Sequence, residues 1–395
     1  MNLPASRKSL YLKEATDVMP PSTAIKELRL KGFKSIRDVR LSLGDTNVLI
    51  GPNGAGKTNL LSFFRLLESI LLGGLSRHVL RAGGAGSLLH YGPKETSEIS
   101  VEINFRTPAW PGATIEFSLD YSDDDSFFWG DQAYGVSDPD RSIGHKGMLH
   151  PKIIEPPQRE CVLVRPDYSS VDPAGPDAAR ALLGNVRVFH FQDTSPSAAL
   201  RRPSDPDTGQ RLLPQGENLA AFLYHLLRNH RPYYNRIVAT IRQVMPEFLD
   251  FVLEPSGATV PLRWRARASD YELGPNQLSD GSLRFMALAS LLLQPEESLP
   301  KVLLIDEPEL GLHPFAIQIL AGLVRSCSHH SQLILTTQST TLLDAFEPAE
   351  VIVCEMEDGQ SRFHRLSSEL LEEWLESYSL SELWLKNVLG GRPGR

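Results

Sequence analysis

The stretch "NVLIGPNGAGKTNLL", residues 47–61, decides the fold of this chain. An apolar run from Val48 to Ile50 leads into a glycine-rich loop, and a segment with apolar residues at helical spacing follows. This order predicts a buried strand, a loop and a helix. The loop "GPNGAGKT", Gly51 to Thr58, fits the pattern G-x-x-x-x-G-K-[ST], whose backbone N–H groups surround phosphate oxygens.

Each residue type in this phosphate loop has a predicted task. Gly51, Gly54 and Gly56 are expected to adopt positive φ, which lets the backbone approach a phosphate closely. Lys57 is expected to contact the β- and γ-phosphates of ATP, and Thr58 to supply a hydroxyl ligand to Mg²⁺. The helix that follows directs the positive end of its dipole at the anion. The predicted nucleotide-binding residues here are Asn53, Gly54, Ala55, Gly56, Lys57, Thr58 and Asn59.

A second segment, "KVLLIDEPELGLHP" at 301–314, ends an apolar run in two adjacent acids. Taken alone, the two acids also fit a charged turn at the surface. With a phosphate loop in the chain, Asp306 stands where such an ATPase holds its Mg²⁺. Glu307 then stands where a carboxylate orients and deprotonates the attacking water. We therefore predict Asp306 as a metal ligand and Glu307 as a catalytic residue.

A third segment, "NQLSDGS" at 276–282, opens an apolar helix with small residues. Ser279 and Gly281 offer a hydroxyl and an amide at a helix N-terminus, which is a second anion site. An ordinary helix cap is the alternative interpretation of the same residues.

Composition limits the classes of function. The 395 residues include 40 Lys plus Arg and 48 Asp plus Glu, a net charge of −8, which argues against a surface built mainly to bind nucleic acid. The basic segments "RRP" at 201–203 and "RWRAR" at 263–267 are either a nucleic-acid contact, weak by itself, or solvated arginines. The three cysteines, Cys161, Cys327 and Cys354, fit free thiols. The sequence shows neither a signal peptide nor an apolar run of roughly 20 residues, so we expect a cytoplasmic protein without a membrane span.

The pattern of elements predicts the fold class. Strands alternate with helices, which is typical of an α/β protein, here a P-loop NTPase with a mixed sheet, an antiparallel β layer and a helical subdomain. Residues 25–43 predict two strands with a turn at Gly32. The predicted domains are an N-terminal tail (1–24), a first ATPase lobe (25–200) with a loop insertion (122–160), a helical/β subdomain (201–275), a segment with signature, acidic strand end and switch (276–360), and C-terminal helices (361–395).

The motifs carry a family resemblance. "LSDGS" at 278–282 resembles the signature loop of ABC-type ATPases, and it precedes "LLIDEPELGLHP" as in that superfamily. With "LKGFKSI" at 30–36 and "TTQSTTLLDAF" at 336–346, the chain resembles the RecF/OLD-like branch of ABC-type ATPases, which are related to SMC heads. The resemblance covers residues 25–360 and implies a head-to-tail dimer that holds two ATPs at its interface.

Several site residues follow from this resemblance. Ser279 and Gly281 would contact the γ-phosphate of ATP bound to the partner subunit, and Lys34 would lie near the nucleotide. His313 would lie in the loop at the dimer seam, and Gln192 is a candidate counterpart of the glutamine that contacts Mg²⁺ and water. The remaining candidate is Gln338, a catalytic residue at the position of the usual switch histidine.

Two residues depart from the family pattern. Asp280 puts an acid where transporter ATPases usually have glycine. Gln338 can hydrogen-bond a phosphate but cannot become cationic, which bears on the rate of hydrolysis and not on ATP binding.

Three functions compete: an ATP-switched dimeric ATPase that regulates a partner in DNA repair or phage defence, a nucleotide-binding module with negligible turnover, and a transporter ATPase subunit. "GLHP", Gln338 and the long segment between phosphate loop and signature weigh against the transporter. OLD-family nucleases append a nuclease domain, for which residues 347–395 are too few, so any nuclease is expected to be a separate protein.

Overall fold

The computed structural model describes residues 23–107, 112–137 and 176–391. The predicted N-terminal tail and Cys161 therefore lie outside the described residues, apart from Thr23 and Ala24. The chain forms two compact units. Of the described residues, the first unit comprises those within 23–187, 348–368 and 384–391, and the second comprises 188–347 and 369–383.

An antiparallel sheet in the first unit has the strand order β2-β1-β4-β5-β6. Its β4 and β5 alternate buried apolar residues with more exposed ones, as expected of strands that cover a core with one face. The bounds are β1 Ala24–Phe33, β2 Ile36–Ser42, β4 Glu98–Arg106, β5 Gly112–Ser122 and β6 Ser126–Ser137.

The strand ahead of the phosphate loop lies elsewhere in the first unit. This strand, β3 (Thr46–Ile50), is buried along its whole length and pairs in parallel with β13 (Val351–Glu357). Strand β14 (Gln360–Arg365) pairs with β13 in antiparallel fashion, so the pairing here is mixed. The helices of this unit are α1 Lys57–Leu71, α2 Leu75–Ala82 and α3 Pro176–Gly184, while α10 Leu380–Leu385 belongs to the second unit except for its last two residues.

Two details of the first unit differ from the sequence prediction. The turn between β1 and β2 lies at Lys34 and Ser35, not at Gly32, and Lys34 takes a φ of 49°. Gly32 is inside β1, where a Cβ would lie 2.2 Å from the Glu98 carbonyl oxygen, so close strand approach requires glycine there. Residues 122–160 were predicted to be a loop, yet Ser126–Ser137 form β6; residues 138–160 lie outside the described part.

The second unit holds the strand that ends in the two acids. This strand, β11 (Val302–Asp306), pairs in parallel with β12 (Gln332–Thr336), and both are buried throughout, as expected of central parallel strands. Strand β7 (Val186–Phe189) is the neighbour of β11 on its other side. A small antiparallel sheet is formed by β8 Phe248–Val252, β9 Arg263–Ala266 and β10 Glu272–Leu273.

Helices complete the second unit. Helix α6 (Asp280–Leu292) is buried from Leu283 to its end, which marks it as the central helix of this unit. Those around it are α4 Leu219–Asn229, α5 Arg231–Val244, α7 Pro314–Ser328, α8 Thr340–Leu343 and α9 Ser368–Leu375. The α/β class, with parallel pairs, an antiparallel layer and a helical region, is confirmed.

Candidate functional site

The phosphate loop has the conformation predicted for an anion cradle. Gly51, Gly54 and Gly56 have φ angles of 144°, 83° and 108°, which only glycine adopts easily. A Cβ on Gly51 would lie 2.2 Å from the Cys354 carbonyl oxygen. A Cβ on Gly56 would lie 2.0 Å from the Ser361 hydroxyl. Close packing against β13 and β14 therefore requires glycine at both positions.

Lys57 begins α1 and folds back over the loop. Its side chain is buried, and Nζ donates to the carbonyl oxygens of Gly51 (2.5 Å) and Pro52 (3.0 Å). The first turn of α1 contains no acidic residue, so the helix dipole and the ammonium make the loop positive. Thr58, the next residue, is exposed.

The turn between β1 and β2 is attached to α1. Lys34 Nζ donates to the Ser62 hydroxyl (2.8 Å), one helical turn after Thr58. Burial lowers the pKa of Lys34, and the charge of Arg65 lowers it further. The Asn59 amide donates to the Ser35 hydroxyl (2.7 Å), so this predicted nucleotide contact also has a structural partner.

In the second unit, Asp306 lies buried at the end of β11. Its Oδ1 accepts a hydrogen bond from the Thr336 hydroxyl (2.8 Å), and its Oδ2 lies 3.7 Å from Nδ1 of His190. Thr336 Oγ1 in turn accepts the backbone N–H of Glu307 (3.0 Å). One hydroxyl thus orients both the predicted metal ligand and the backbone of the predicted base.

Glu307 and Gln338 are direct partners. Glu307 has a φ of 43°, a left-handed conformation that is uncommon outside glycine. The Gln338 side-chain amide donates to Glu307 Oε1. Two of the predicted catalytic residues are therefore brought together, with the Gln338 side chain exposed.

The signature segment begins α6. Ser279 is the N-cap, and its hydroxyl accepts the Ser282 N–H (3.1 Å), as the helix-cap alternative required. Asp280 pairs with Arg201 (2.9 Å), which offsets the acid at this family-atypical position. A Cβ on Gly281 would lie 2.5 Å from the Gly311 carbonyl oxygen, so close packing also demands glycine here.

Gln192 contributes its backbone to a junction around Arg284. The Arg284 guanidinium, inside α6, donates to the carbonyl oxygens of Phe191 (3.0 Å), Gln192 (2.9 Å) and Leu310. Burial lowers the pKa of Arg284. The arginine thereby fixes the Gln192 backbone, while the predicted role of the Gln192 side chain stays a prediction.

The basic segments have internal partners. Arg201 is nearly buried and donates to the carbonyl oxygens of Thr194 and Pro275 as well as to Asp280. In "RWRAR", Arg263 and Arg265 both pair with Glu272. Arg201, Arg263 and Arg265 thus have carboxylate partners within the fold.

The structure also describes His313, the residue that the family resemblance places at a dimer seam. His313 is exposed and caps α7, accepting the Phe315 N–H at 3.3 Å. None of the helices within residues 23–107, 112–137 and 176–391 combines the length and the hydropathy that a membrane span needs.

Sequence reasoning missed the residues that hold the site together. These are Thr336, Thr337, Glu309, Arg284 and Arg201, all buried or nearly so. A sequence signal existed for Thr336 and Thr337, because "TT" directly follows the apolar run "QLIL". Hydroxyls at the end of a parallel strand lie beside the end of the neighbouring strand, here β11.

The comparisons with solved structures show the same fold. An SMC head bound to the C-terminal winged-helix domain of ScpA matches with a TM-score of 0.56 and 17% identity, over 88% of this chain and 99% of that one. The Pyrococcus furiosus Smc head with an extended coiled coil, bound to the C-terminal domain of ScpA, matches with a TM-score of 0.57 and 15% identity, over 90% and 99%. The Pyrococcus yayanosii Smc head with a coiled coil and joint has a TM-score of 0.53 at 15% identity, again over 90% and 99%.

The described residues therefore have the α/β fold of SMC head domains, and this fold carries a phosphate loop. A family model described as "AAA domain, putative AbiEii toxin, Type IV TA system" matches residues 46–132 and 168–344, more than half of the chain. The chain belongs to this AAA family. A search of curated proteins gave no significant match.

Proposed function

We propose that this protein binds and hydrolyses ATP, dimerises head-to-tail on ATP, and thereby regulates a protein partner. The observation that carries the proposal is the phosphate loop, whose three glycines have positive φ while Lys57 and an acid-free helix start supply positive charge. A fixed cradle of this kind lowers the cost of ordering a triphosphate.

The donor set fits a magnesium-dependent ATPase. The described residues contain no group of three or more His, Cys, Asp or Glu that could hold a metal. Mg²⁺ commonly binds through one or two protein side chains together with the phosphates of the substrate, so a hydroxyl and a carboxylate are enough protein ligands for it. Thr58 and Asp306 are the proposed ligands, with the Gln192 side chain as a further candidate. When bound, Mg²⁺ offsets the negative charge that develops on the transferred phosphoryl group.

The remaining residues have proposed tasks in hydrolysis. Glu307 accepts a proton from the attacking water while Gln338 orients the Glu307 carboxylate by hydrogen bonding. Lys57 binds the β- and γ-phosphates, and Lys34 contributes positive charge at α1. In the dimer, Ser279 of the partner subunit contacts the γ-phosphate, which couples ATP occupancy to association.

A second candidate is a nucleotide-binding module with negligible turnover. The observation that favours it is the bond between Glu307 and a residue that cannot become cationic. The two candidates agree on binding and differ in the chemical step, so one experiment separates them.

The proposed partner is a protein, either a nuclease or another effector, in DNA repair or phage defence. Two of the similar SMC heads were solved bound to domains of ScpA. Those structures support the idea that this fold offers a surface for a protein partner. We propose only a weak direct contact with DNA, because the net charge is −8 and Arg201, Arg263 and Arg265 have internal partners.

Lys57→Ala tests binding. We expect the affinity for Mg²⁺·ATP to fall by at least about tenfold, because the variant loses the cation aimed at the phosphates. The loop itself should persist, since Gly51 and Gly56 are held by packing. Isothermal titration calorimetry measures the affinity, and Lys301→Ala is the control for loss of a half-buried lysine.

Unchanged affinity in Lys57→Ala would exclude the phosphate-loop assignment. A single-turnover assay on wild-type protein then separates the two candidates. Hydrolysis is supported if wild-type protein converts bound ATP and the rate of conversion drops by a factor on the order of 100 in Glu307→Gln. Tight binding with no conversion supports the nucleotide-binding module.

A further inference from the structure

Glu309 is a buried acid for which the proposed reaction has no task. It lies two residues after Glu307 and is 8% exposed. Its Oε1 accepts two hydrogen bonds, from the Thr337 hydroxyl (2.7 Å) and from the Gln338 backbone N–H (2.9 Å). Its Oε2 is buried and has no hydrogen-bond partner within the described residues. Buried polar atoms usually have hydrogen-bond partners, so a buried carboxyl whose two bonds both go to one oxygen is unusual.

The two bonds of Glu309 begin a chain that runs through the whole switch segment, which we define as residues 337–339. The Thr337 hydroxyl donates to Glu309 and accepts the backbone N–H of Ser339 (3.0 Å). The Ser339 hydroxyl then accepts the Leu342 N–H (3.2 Å) and caps α8. Linked hydrogen bonds of this kind polarise and strengthen one another.

We propose that Glu309 is the positioning residue that fixes the switch segment so that the Gln338 amide meets the Glu307 carboxylate. The proposal rests on the proposed function, because positioning matters only if Glu307 acts on water. The Gln338 side chain is exposed and has several rotatable bonds, so its own bond to Glu307 is too weak to order the backbone. Glu309 holds that backbone from the buried side.

The two hydrogen bonds require an oxygen that accepts them at position 309, and they do not require that the side chain be charged. Burial raises the pKa of Glu309, and the nearby Glu307 carboxylate raises it further, against the opposing effect of the hydrogen bonds. A neutral carboxyl and an amide both retain an oxygen that accepts the two bonds. Glutamine should therefore replace Glu309, whereas alanine should not.

The first test uses the ligand-free protein and so does not depend on ATP. Hydrogen exchange at the backbone N–H of Gln338, which donates to Glu309, is compared in wild type, Glu309→Ala, Glu309→Gln and the control Gln294→Ala. Gln294 is also buried with an orphaned oxygen, and it donates to the Leu291 carbonyl outside the switch segment. We expect exchange to be about tenfold faster in Glu309→Ala, restored by Glu309→Gln and unchanged by Gln294→Ala.

The second test measures steady-state ATP hydrolysis in the same variants. We expect kcat to fall about tenfold in Glu309→Ala with KM changed less than about twofold, because the phosphate loop is untouched. Glu309→Gln should recover most of the turnover. A protein without any turnover in wild type would refute the proposed hydrolysis, while the exchange result would still decide the role of Glu309.

Two outcomes would overturn the proposal. One is unaltered hydrogen exchange at the backbone N–H of Gln338 in Glu309→Ala. The other is a Glu309→Gln variant as defective as the alanine variant, which would show that Glu309 acts through its charge. Should Glu309→Ala fail to fold, Thr337→Ala removes only the hydroxyl link, and the Ser339 amide should then exchange faster. Unchanged exchange there counts against the proposal equally.

Discussion

At the scale of single residues, three consecutive side chains hold three carboxylates. Residues 336, 337 and 338 donate in turn to Asp306, Glu309 and Glu307. Each acid therefore has its own hydrogen-bond donor at the end of β12 or directly after it. Acids so close together would repel one another, and separate hydrogen bonds offset that repulsion.

Glu309 gives this arrangement a measurable pH dependence. Its pKa is raised in the folded state, chiefly by burial, from a value near 4.5 in the unfolded chain. As the pH rises above about 4.5, the unfolded state loses a proton that the folded state keeps, so the free energy of unfolding falls until the raised pKa is passed. Glu309→Gln cannot ionise, so we expect it to become increasingly more stable than wild type over this window.

Urea denaturation of both proteins between about pH 4.5 and pH 7 measures the effect. The difference between them cannot exceed about 1.4 kcal/mol per pH unit for a single group. Below the unfolded pKa the two proteins should differ by a constant amount. A difference that stays constant across the whole range would show that the pKa of Glu309 is not raised.

Local sequence places Asp306 and Glu307 at the end of an apolar strand, but it does not show the groups that orient them. An acid at the end of an apolar strand, in a chain with a phosphate loop, is a local signal. The partner hydroxyl of Asp306 lies 30 residues away, at Thr336, and the two meet because the register of β11 and β12 places them side by side. Strand register across such a separation depends on packing that the local pattern does not contain.

At the scale of elements, the start of α6 depends on Arg201. Its nearly buried guanidinium joins two backbone carbonyls to Asp280, whose own side chain is 67% exposed. We expect Arg201→Met to lower the free energy of unfolding by about 2 kcal/mol, because buried carbonyl oxygens lose their donor. Asp280→Asn should cost less than about 1 kcal/mol, since an exposed pair contributes little.

Denaturant titration of the two variants checks this asymmetry, with the m-value confirming that the cooperativity is unchanged. Equal losses in both would place the stabilisation in the ion pair. A DNA affinity that drops in Arg201→Met without any loss of stability would instead favour the nucleic-acid interpretation of "RRP".

The elements that the sequence misplaced have a common cause. Glycine is read locally as a turn, yet Gly32 and Gly130 lie inside strands where another chain segment comes too close for a Cβ. A Cβ on Gly130 would lie 2.1 Å from the Ser118 hydroxyl. The fully buried strands β3 and β11 were predictable because their apolar runs need no such tertiary information.

At the scale of the whole molecule, the proposed dimer needs an exposed face beside the signature segment. Leu310 and Phe315 are large apolar residues, yet they are 46% and 50% exposed. Between them, Gly311 packs closely against Gly281 of the signature segment. Leu310 in the loop and Phe315 at the start of α7 are the kind of exposed apolar residues that the proposed dimer would bury.

We expect Glu307→Gln to form a stable dimer with ATP. The amide keeps the shape of the side chain and the oxygen that Gln338 binds, but it cannot take a proton from water. Hydrolysis should stall while each ATP remains bound by Lys57 and by Ser279 of the partner subunit. Light scattering should give the mass of a dimer with ATP and of a monomer without it.

Adding Ser279→Arg to Glu307→Gln should return the protein to a monomer while ATP still binds. Ser279 is exposed, so arginine fits within the chain at the cost of the helix cap, about 1 kcal/mol, but it blocks the approach of a second copy. Ser379→Arg is the matched control, because Ser379 is exposed and accepts the Glu382 N–H at the start of α10. With Glu307→Gln, this control should still dimerise. A Glu307→Gln protein that stays monomeric at saturating ATP, or equal dimerisation of both double variants, would exclude association through the signature segment.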